Sequence, residues 1–402
     1  MKRKAAAAAE KQAPYGPDID LDAYSTRPEK HGAVASLTEL PVEVEERALS
    51  VGVAVGEECR NGSFFQMDHS VVFSAAYQSG LEVMDITSAL EKHAWLEEYR
   101  WRALAADADK YTARAELMPH HGYFLRALPG VRAEFPLQAC LYMTQEGLAQ
   151  HVHNIVIAEE GSELHIITGC TVASPVRSAL HVGVSEFYIK KNARISFTML
   201  HNWAPDVAVR PRTAAIVGEN GIFLSNYICM KPVKTLQSYP VAYCEGDNAT
   251  VRFNSVLLAG EGSDIDVGAR VFLRGRGSRA EVVSKAITTG GTITARGHLL
   301  GEAPGVRAHL ECRGLILGNR GKICAIPELE GCVKDLDMTH EAAVGKIAPE
   351  EIEYLTARGL TAEEATAVIV RGFLDIEMKG VPASIGEEIR RALEGEKIGG
   401  GF

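Results

Sequence analysis

The residues best suited to chemistry in this 402-residue chain are its cysteines, at positions 59, 140, 170, 229, 244, 312, 324 and 332. Cys312, Cys324 and Cys332 are separated by eleven and seven residues, and His340 and Glu341 follow within nine. Three thiols, an imidazole and a carboxylate thus fall within thirty residues. That mixture of donors suits soft transition metals and iron-sulfur clusters. The spacing matches no compact ferredoxin motif, so these donors need a fold that brings distant positions together. A buried cysteine is otherwise a small hydrophobe. Cys229 and Cys244 lie in strand-like segments and read as structural, while Cys59 and Cys140 have no companion ligands beside them. Cys324 and Cys332, flanked by Pro327, Glu328, Glu330 and Gly331, read as loop residues. His151 and His153 form a His-x-His pair on one side of a predicted strand, a zinc-type arrangement with no third ligand apparent nearby. His181, His201 and Trp203 read as core.

The elements that must position these groups are strands. From Glu160 to Arg320 turn signals recur about every 13 to 16 residues, among them Lys191-Asn192, Gly218-Glu219-Asn220-Gly221, Gly246-Asp247-Asn248 and Pro304-Gly305. Between them Ile195-Ser196-Phe197-Thr198-Met199 and Val251-Arg252-Phe253-Asn254 alternate at period two, the pattern of strands with one buried face. So even a spacing favours a parallel β-solenoid, two strand units per coil, over a stack of hairpins. On a solenoid, neighbouring coils lie about 4.8 Å apart, which lets ligands remote in sequence converge.

The flanks differ. Asp85 to Leu117 lacks Pro and Gly and reads as helix. Pro349-Glu350-Glu351 opens a helix ending at Arg358-Gly359, Thr361 and Glu364 form a capping box, and Ser384 with Glu387 marks a third start. In the second of these helices Ala365, Val368, Ile369, Gly372, Phe373 and Ile376 form one apolar stripe. The expected architecture is mainly β with α. It comprises a flexible tail (1–30), a mixed N-terminal domain (31–130), a parallel β-helix core (131–330) and a C-terminal helical domain (331–402).

Composition excludes several classes. With 46% hydrophobic and 23% charged residues the body is globular, and a formal charge of -10 argues against a broad nucleic-acid face. No run approaches the roughly 18 apolar residues of a membrane span, and the basic start leads into a short alanine run unlike a secretory h-region. The chain reads as cytoplasmic with reduced thiols. It has no Gly-x-x-x-x-Gly-Lys-[Ser/Thr] loop, so no ATPase activity of its own is expected.

Several motifs at both ends of the β core resemble the SufB/SufD family of the SUF iron-sulfur cluster assembly system. They are His165-Ile166-Ile167-Thr168-Gly169-Cys170-Thr171, Leu180-His181-Val182-Gly183-Val184-Ser185-Glu186 and Leu200-His201-Asn202-Trp203, then Glu311-Cys312-Arg313-Gly314, Thr339-His340-Glu341-Ala342-Ala343 and Arg371-Gly372-Phe373-Leu374. The likeness covers roughly residues 130 to 378. It implies a right-handed parallel β-helix flanked by helical domains, acting as a scaffold, not an enzyme. The scaffold would build a nascent [4Fe-4S] or [2Fe-2S] cluster with a SufC-like ABC ATPase and pass it to recipient apoproteins. By the same resemblance Cys170 falls at the sulfur-accepting position and Cys312 at the assembly position. Glu341 and His340 fall at ligand positions. Thr339 stands where bacterial B-type sequences commonly have Glu, and Cys324 and Cys332 are additional thiols able to replace a carboxylate. The ATPase would dock on the C-terminal helices, where Tyr354, Leu355, Val368, Ile369 and Phe373 are the contact candidates, unless that stripe packs on the chain's own β core. B-type cysteines beside mixed features suggest a minimal-type homodimer, joined through the β-helix, that serves both B and D roles. The alternatives are a D-like structural partner carrying no cluster and a polysaccharide-active solenoid enzyme. The latter needs acidic residues along one face, whereas Asp264 and Asp266 are the only close pair in the core.

Overall fold

A strand with one apolar face must bury it, and a chain that turns after every strand can do so by coiling those faces inward on one another. The computed structural model describes residues 1–374 except 57–59, 120 and 232, and it forms a parallel β-solenoid of about eight turns with terminal helices. One wall is a ten-stranded sheet. From the antiparallel hairpin Gly62–Met67 and Ser70–Ala76 it runs through Leu137–Met143, Glu163–Val172, Arg194–Asn202, Ile222–Cys229, Thr250–Ala259, Arg279–Thr288 and Val306–Ile316 to Leu336–Gly345. The facing wall carries Ala149–Ala158, Leu180–Ile189, Asp264–Leu273, Thr292–Gly301 and Lys322–Gly331 among its strands. Positions that meet on adjacent coils are 27 to 31 residues apart.

The corners explain the even spacing. Asn192, Asn220 and Asn248 adopt φ of 56°, 53° and 57°. Asn is among the few residues that tolerate this left-handed region. Their side chains form a ladder, Asn220 Nδ2 donating to Asn192 Oδ1 at 3.0 Å and Asn248 Nδ2 to Asn220 Oδ1 at 3.2 Å. Inside, Phe187 meets Phe197 and Phe223 at centroid distances of 4.8 and 5.0 Å. Each fully buried aromatic or aliphatic side chain contributes about 1.5–3 kcal/mol.

The flanks depart from expectation in four places. The region 85–117 is not one helix: α3 (Ile86–Lys92) and α4 (Lys110–Leu117) are separated by a 3-10 turn and a loop. The loop exists because the buried Glu186 carboxylate accepts the backbone N–H groups of Trp101 at 2.6 Å and Ala103 at 2.7 Å, holding Trp101 at φ 58°. The segment read as a flexible tail is laid against the body. Within it α1 (Lys2–Ala7) buries Ala5 against Ala113 of α4, and Tyr15 sits edge-on to Tyr239 and 4.4 Å from the Arg296 guanidinium. The β core passes the expected boundary at 330, continuing through Leu336–Gly345 before α5 (Pro349–Thr356). That last coil lacks the alternating burial of the others, because no strand among the described residues covers it. In α6 (Ala362–Leu374) the buried positions are Ala365, Val370 and Leu374, with Phe373 half-buried, so the apolar stripe is rotated from the one expected. Ile376, Ser384 and Glu387 lie outside the described residues. Two short 3-10 turns, Leu21–Ala23 and Leu37–Glu39, lie between α1 and α2 (Val42–Leu49). No helix among the described residues is long and apolar enough to cross a membrane.

Candidate functional site

Cys170 and Cys312 both belong to the interior cluster of the solenoid and lie on the same wall, on strands Glu163–Val172 and Val306–Ile316. Strand register sets their relation. Cys170 is followed on the next two coils by His201 and Cys229. Cys312 is preceded on successive coils by Ser284, Ser255, Tyr227 and Met199. The two columns are two positions apart along the strands, so both point inward as neighbours. Five coil steps separate the thiols, or about 24 Å.

The columns are bridged. The Tyr227 hydroxyl and His201 Nδ1 share a hydrogen bond of 2.8 Å. His201 Nε2 and Ser284 Oγ are buried without a hydrogen-bond partner. An interior cavity of about 50 Å³ is lined by Met199, Ser225, Tyr227, Ser255 and Ser284. It has room for water-sized groups next to polar atoms that want partners. Burial, with a smaller push from Cys140, holds the Cys170 thiol well above the usual range. Burial, then the Glu311 carboxylate, pushes Cys312 up to about 11. Both are therefore protonated thiols at neutral pH, whereas metal ligation and sulfur transfer use the thiolate. Burial also holds His201 far below its usual value, leaving a neutral imidazole.

The remaining candidates sit at the open end and are not brought together. Glu341 pairs with Glu311 on the outer face, opposite to the way Cys312 points, and His340 pairs with Leu310 on the inner one. Cys324 pairs with Thr294 on the facing wall, between the inward Ile323 and Ala325, and so points outward. Cys332 is exposed in the turn after that strand, its N–H donating to Gly301 O at 2.8 Å. Among the described residues no three His, Cys, Asp or Glu side chains are arranged to hold a metal ion. Cys324 is half-buried, and Cys332, His340 and Glu341 are exposed. No further coil follows among the described residues.

Of the docking candidates, Tyr354 and Val368 are exposed, and Leu355, Ile369 and Phe373 are half-buried. One face of α6 packs through Val370 and Leu374 onto Leu200, Ile228 and Val256 on the outside of the ten-stranded wall, leaving Val368 to solvent. The other expectations resolve simply. Cys140, Cys229 and Cys244 are buried, and Cys59 lies outside the described residues. Asp266 is held by both arms of Arg296 at 2.7 and 2.9 Å and does not line an acidic groove. His201 and Tyr227, read as core or not singled out, are the link between the thiol columns. Coil offsets of 31 and then 28 residues put Cys170, His201 and Cys229 in line.

Residues 141–373 match the family model described as "SUF system FeS cluster assembly, SufBD core domain". The chain is 51% identical over 398 residues to an iron-sulfur cluster assembly SufBD family protein of Methanothermobacter thermautotrophicus, covering 98% of this chain and 97% of that one. A SufBD family protein of Archaeoglobus fulgidus is 50% identical over 350 residues, covering 87% and 94% respectively. The SufB protein of Bacillus subtilis is 28% identical over 393 residues, covering 95% and 84%.

Proposed function

This chain belongs to the SufBD family of SUF-system iron-sulfur cluster assembly proteins, and from that membership we propose that it is a scaffold subunit that builds a nascent cluster as cargo and hands it to recipient apoproteins. The observation that carries the reading is the pair of interior thiols, Cys170 and Cys312, placed on one wall and connected by a polar column and a cavity. As a thiolate, Cys170 would take the outer sulfur of a donor persulfide as the donor thiolate leaves, and a second exchange of the same kind, in a rearranged interior, would pass that sulfur to the Cys312 thiolate, shielded from solvent oxidants. His201, neutral and hydrogen-bonded to Tyr227, lies beside Cys170 on the next coil with Nε2 available to orient a group on that thiol. The assembly end would then be completed by Cys324, Cys332, His340 and Glu341.

Both interior thiols rest protonated and the outer donors do not converge in one chain, so the scaffold needs a second state. We assign its control to a SufC-like ABC ATPase docked on the free face of α5 and α6 through Tyr354, Leu355, Val368, Ile369 and Phe373. Nucleotide-driven closure would bias a two-state arrangement. A second copy joined at the uncovered last coil would bring two sets of donors together. The chain itself would turn over no substrate and would work in the cytoplasm with reduced thiols.

The test is anaerobic reconstitution with iron and sulfide, with and without the ATPase, followed by absorption and Mössbauer spectra. The native chain should hold a cluster that Cys312→Ser abolishes and that Cys324→Ser or Cys332→Ser weakens. The scattered positions of the four outer donors favour one other reading, a D-like partner that binds the ATPase and carries no cluster. Iron and sulfide content unchanged in the triple Cys→Ser variant would decide for it.

A further inference from the structure

The outer face of the ten-stranded wall carries a groove of about 450 Å³, lined by the buried Leu224 and by a set of charged side chains. That is the size of a small-molecule site. Strand register builds it. Arg252, Glu281, His309 and Thr339 form one outward column on four successive coils, and Thr250, Arg279, Arg307 and Asp337 form the column beside it. Residues two positions apart on a strand share a face, so the two columns lie side by side.

Several arginines elsewhere on the coils face carboxylates. Arg274 lies between Glu245 and Glu302 at 2.7 and 2.8 Å, and both arms of Arg296 hold Asp266. Within the groove Arg252 meets Glu281 at 3.3 Å and donates through Nε to Asn254 Oδ1 at 3.0 Å, so the Glu281 charge is already matched. Arg279 and Arg307 are different. Both are exposed, they stand in register one coil apart, and neither guanidinium has an ion pair or hydrogen bond among the described residues. Asp337 follows Arg307 on the next coil without forming an ion pair with it.

Like charges in register on neighbouring strands repel. A coil spacing of about 4.8 Å also puts both guanidinium forks within reach of a single oxyanion, which would replace that repulsion with charge-assisted hydrogen bonds. His309 adds a third group. Its Nδ1 shares a 2.8 Å hydrogen bond with the Thr339 hydroxyl, and when that hydroxyl donates, Nε2 carries the ring proton and is a further donor. We propose that this groove binds a small molecule bearing a phosphate or a cluster of carboxylates, its oxyanion held between Arg279 and Arg307. The site uses none of the cysteines, nor His340 or Glu341, so it stands or falls apart from the scaffold reading.

The probes are pyrophosphate and citrate, titrated calorimetrically into the cluster-free full chain in about 0.15 M sodium chloride, where long-range attraction between exposed charges is screened. At least one should bind saturably with a stoichiometry of one. Pyrophosphate alone would assign a phosphate-bearing ligand, citrate alone a polycarboxylate, and both a site that reads the oxyanion itself. Arg279→Gln and Arg307→Gln should each weaken binding about tenfold or more, the loss expected for hydrogen bonds to a charged group. Asp337→Asn should tighten it by about two- to fivefold. Arg274→Gln, whose guanidinium is held by two glutamates on the other wall, should leave it unchanged. All four positions are at the surface, so the variants should fold, and unchanged circular dichroism checks this. No saturable binding of either probe, or binding that survives in the Arg279→Gln/Arg307→Gln double variant, overturns the proposal.

Discussion

At the scale of single residues the molecule keeps several of its buried histidines neutral. His69, His151 and His181 are all held down to about 3, chiefly by burial, against about 6.5 in an unfolded chain. Between those values the unfolded state binds protons that the native state does not, so stability rises with pH across the window and is complete above about 6.5. Urea denaturation from pH 7 down to 4 should lose up to about 1.4 kcal/mol per pH unit for each histidine. A flat profile would show that these rings are solvated. The same scale explains what could not be read from residue order. The spacing from Cys312 to Glu341 invites a shared site, but the last coil is offset by 30 residues, pairing Glu341 with Glu311 and Ala342 with Cys312. Because strand neighbours alternate faces, that single position puts the carboxylate outside and the thiol inside.

At the scale of elements, the corner asparagines hold the coils in phase. Asn220 both donates to Asn192 and accepts from Asn248 while holding φ at 53°. Asn220→Ala loses both bonds and leaves in the left-handed region a residue without the local polar side chain that lets asparagine tolerate it, a cost of about 1–2 kcal/mol in thermal or chemical unfolding, and Asn220→Gly should recover roughly half of it. Equal losses in both variants would mean that conformation at this corner is unimportant. These corners were legible in the sequence because Asn and Gly mark positive φ whatever surrounds them. The loop after α3 was not. Its helix-forming composition is overruled by one buried carboxylate, Glu186, contributed from a strand some 80 residues away and visible only after folding. The thiol columns were half legible. The motifs pointed to Cys170 and Cys312, but His201 and Tyr227 join them only once the coil offset is known.

At the scale of the whole molecule the two ends of the solenoid are unlike. The first coils are covered by the N-terminal hairpin and α2, whereas the last, Leu336–Gly345, presents a row of exposed side chains and a strand edge that no described residue pairs with, with Val344 43% exposed. Natural sheets rarely leave such an edge without a partner or a cover. In the proposed homodimer joined at this end, Val344→Asp should convert the dimer to a monomer in light scattering after size exclusion, with the far-ultraviolet dichroism unchanged; a wild-type monomer at micromolar concentration would remove the basis for association at this end. The uniform register between the ends also makes the molecule a ruler graduated in whole coils. Inserting one complete repeat between Cys170 and Cys312 would lengthen the interior path by a fixed step of about 4.8 Å, leaving both thiols facing inward, whereas gaining or losing one residue within a strand would turn part of a wall inside out. The separation of the two thiols is thus set by a number of repeats, and it can change only in whole increments.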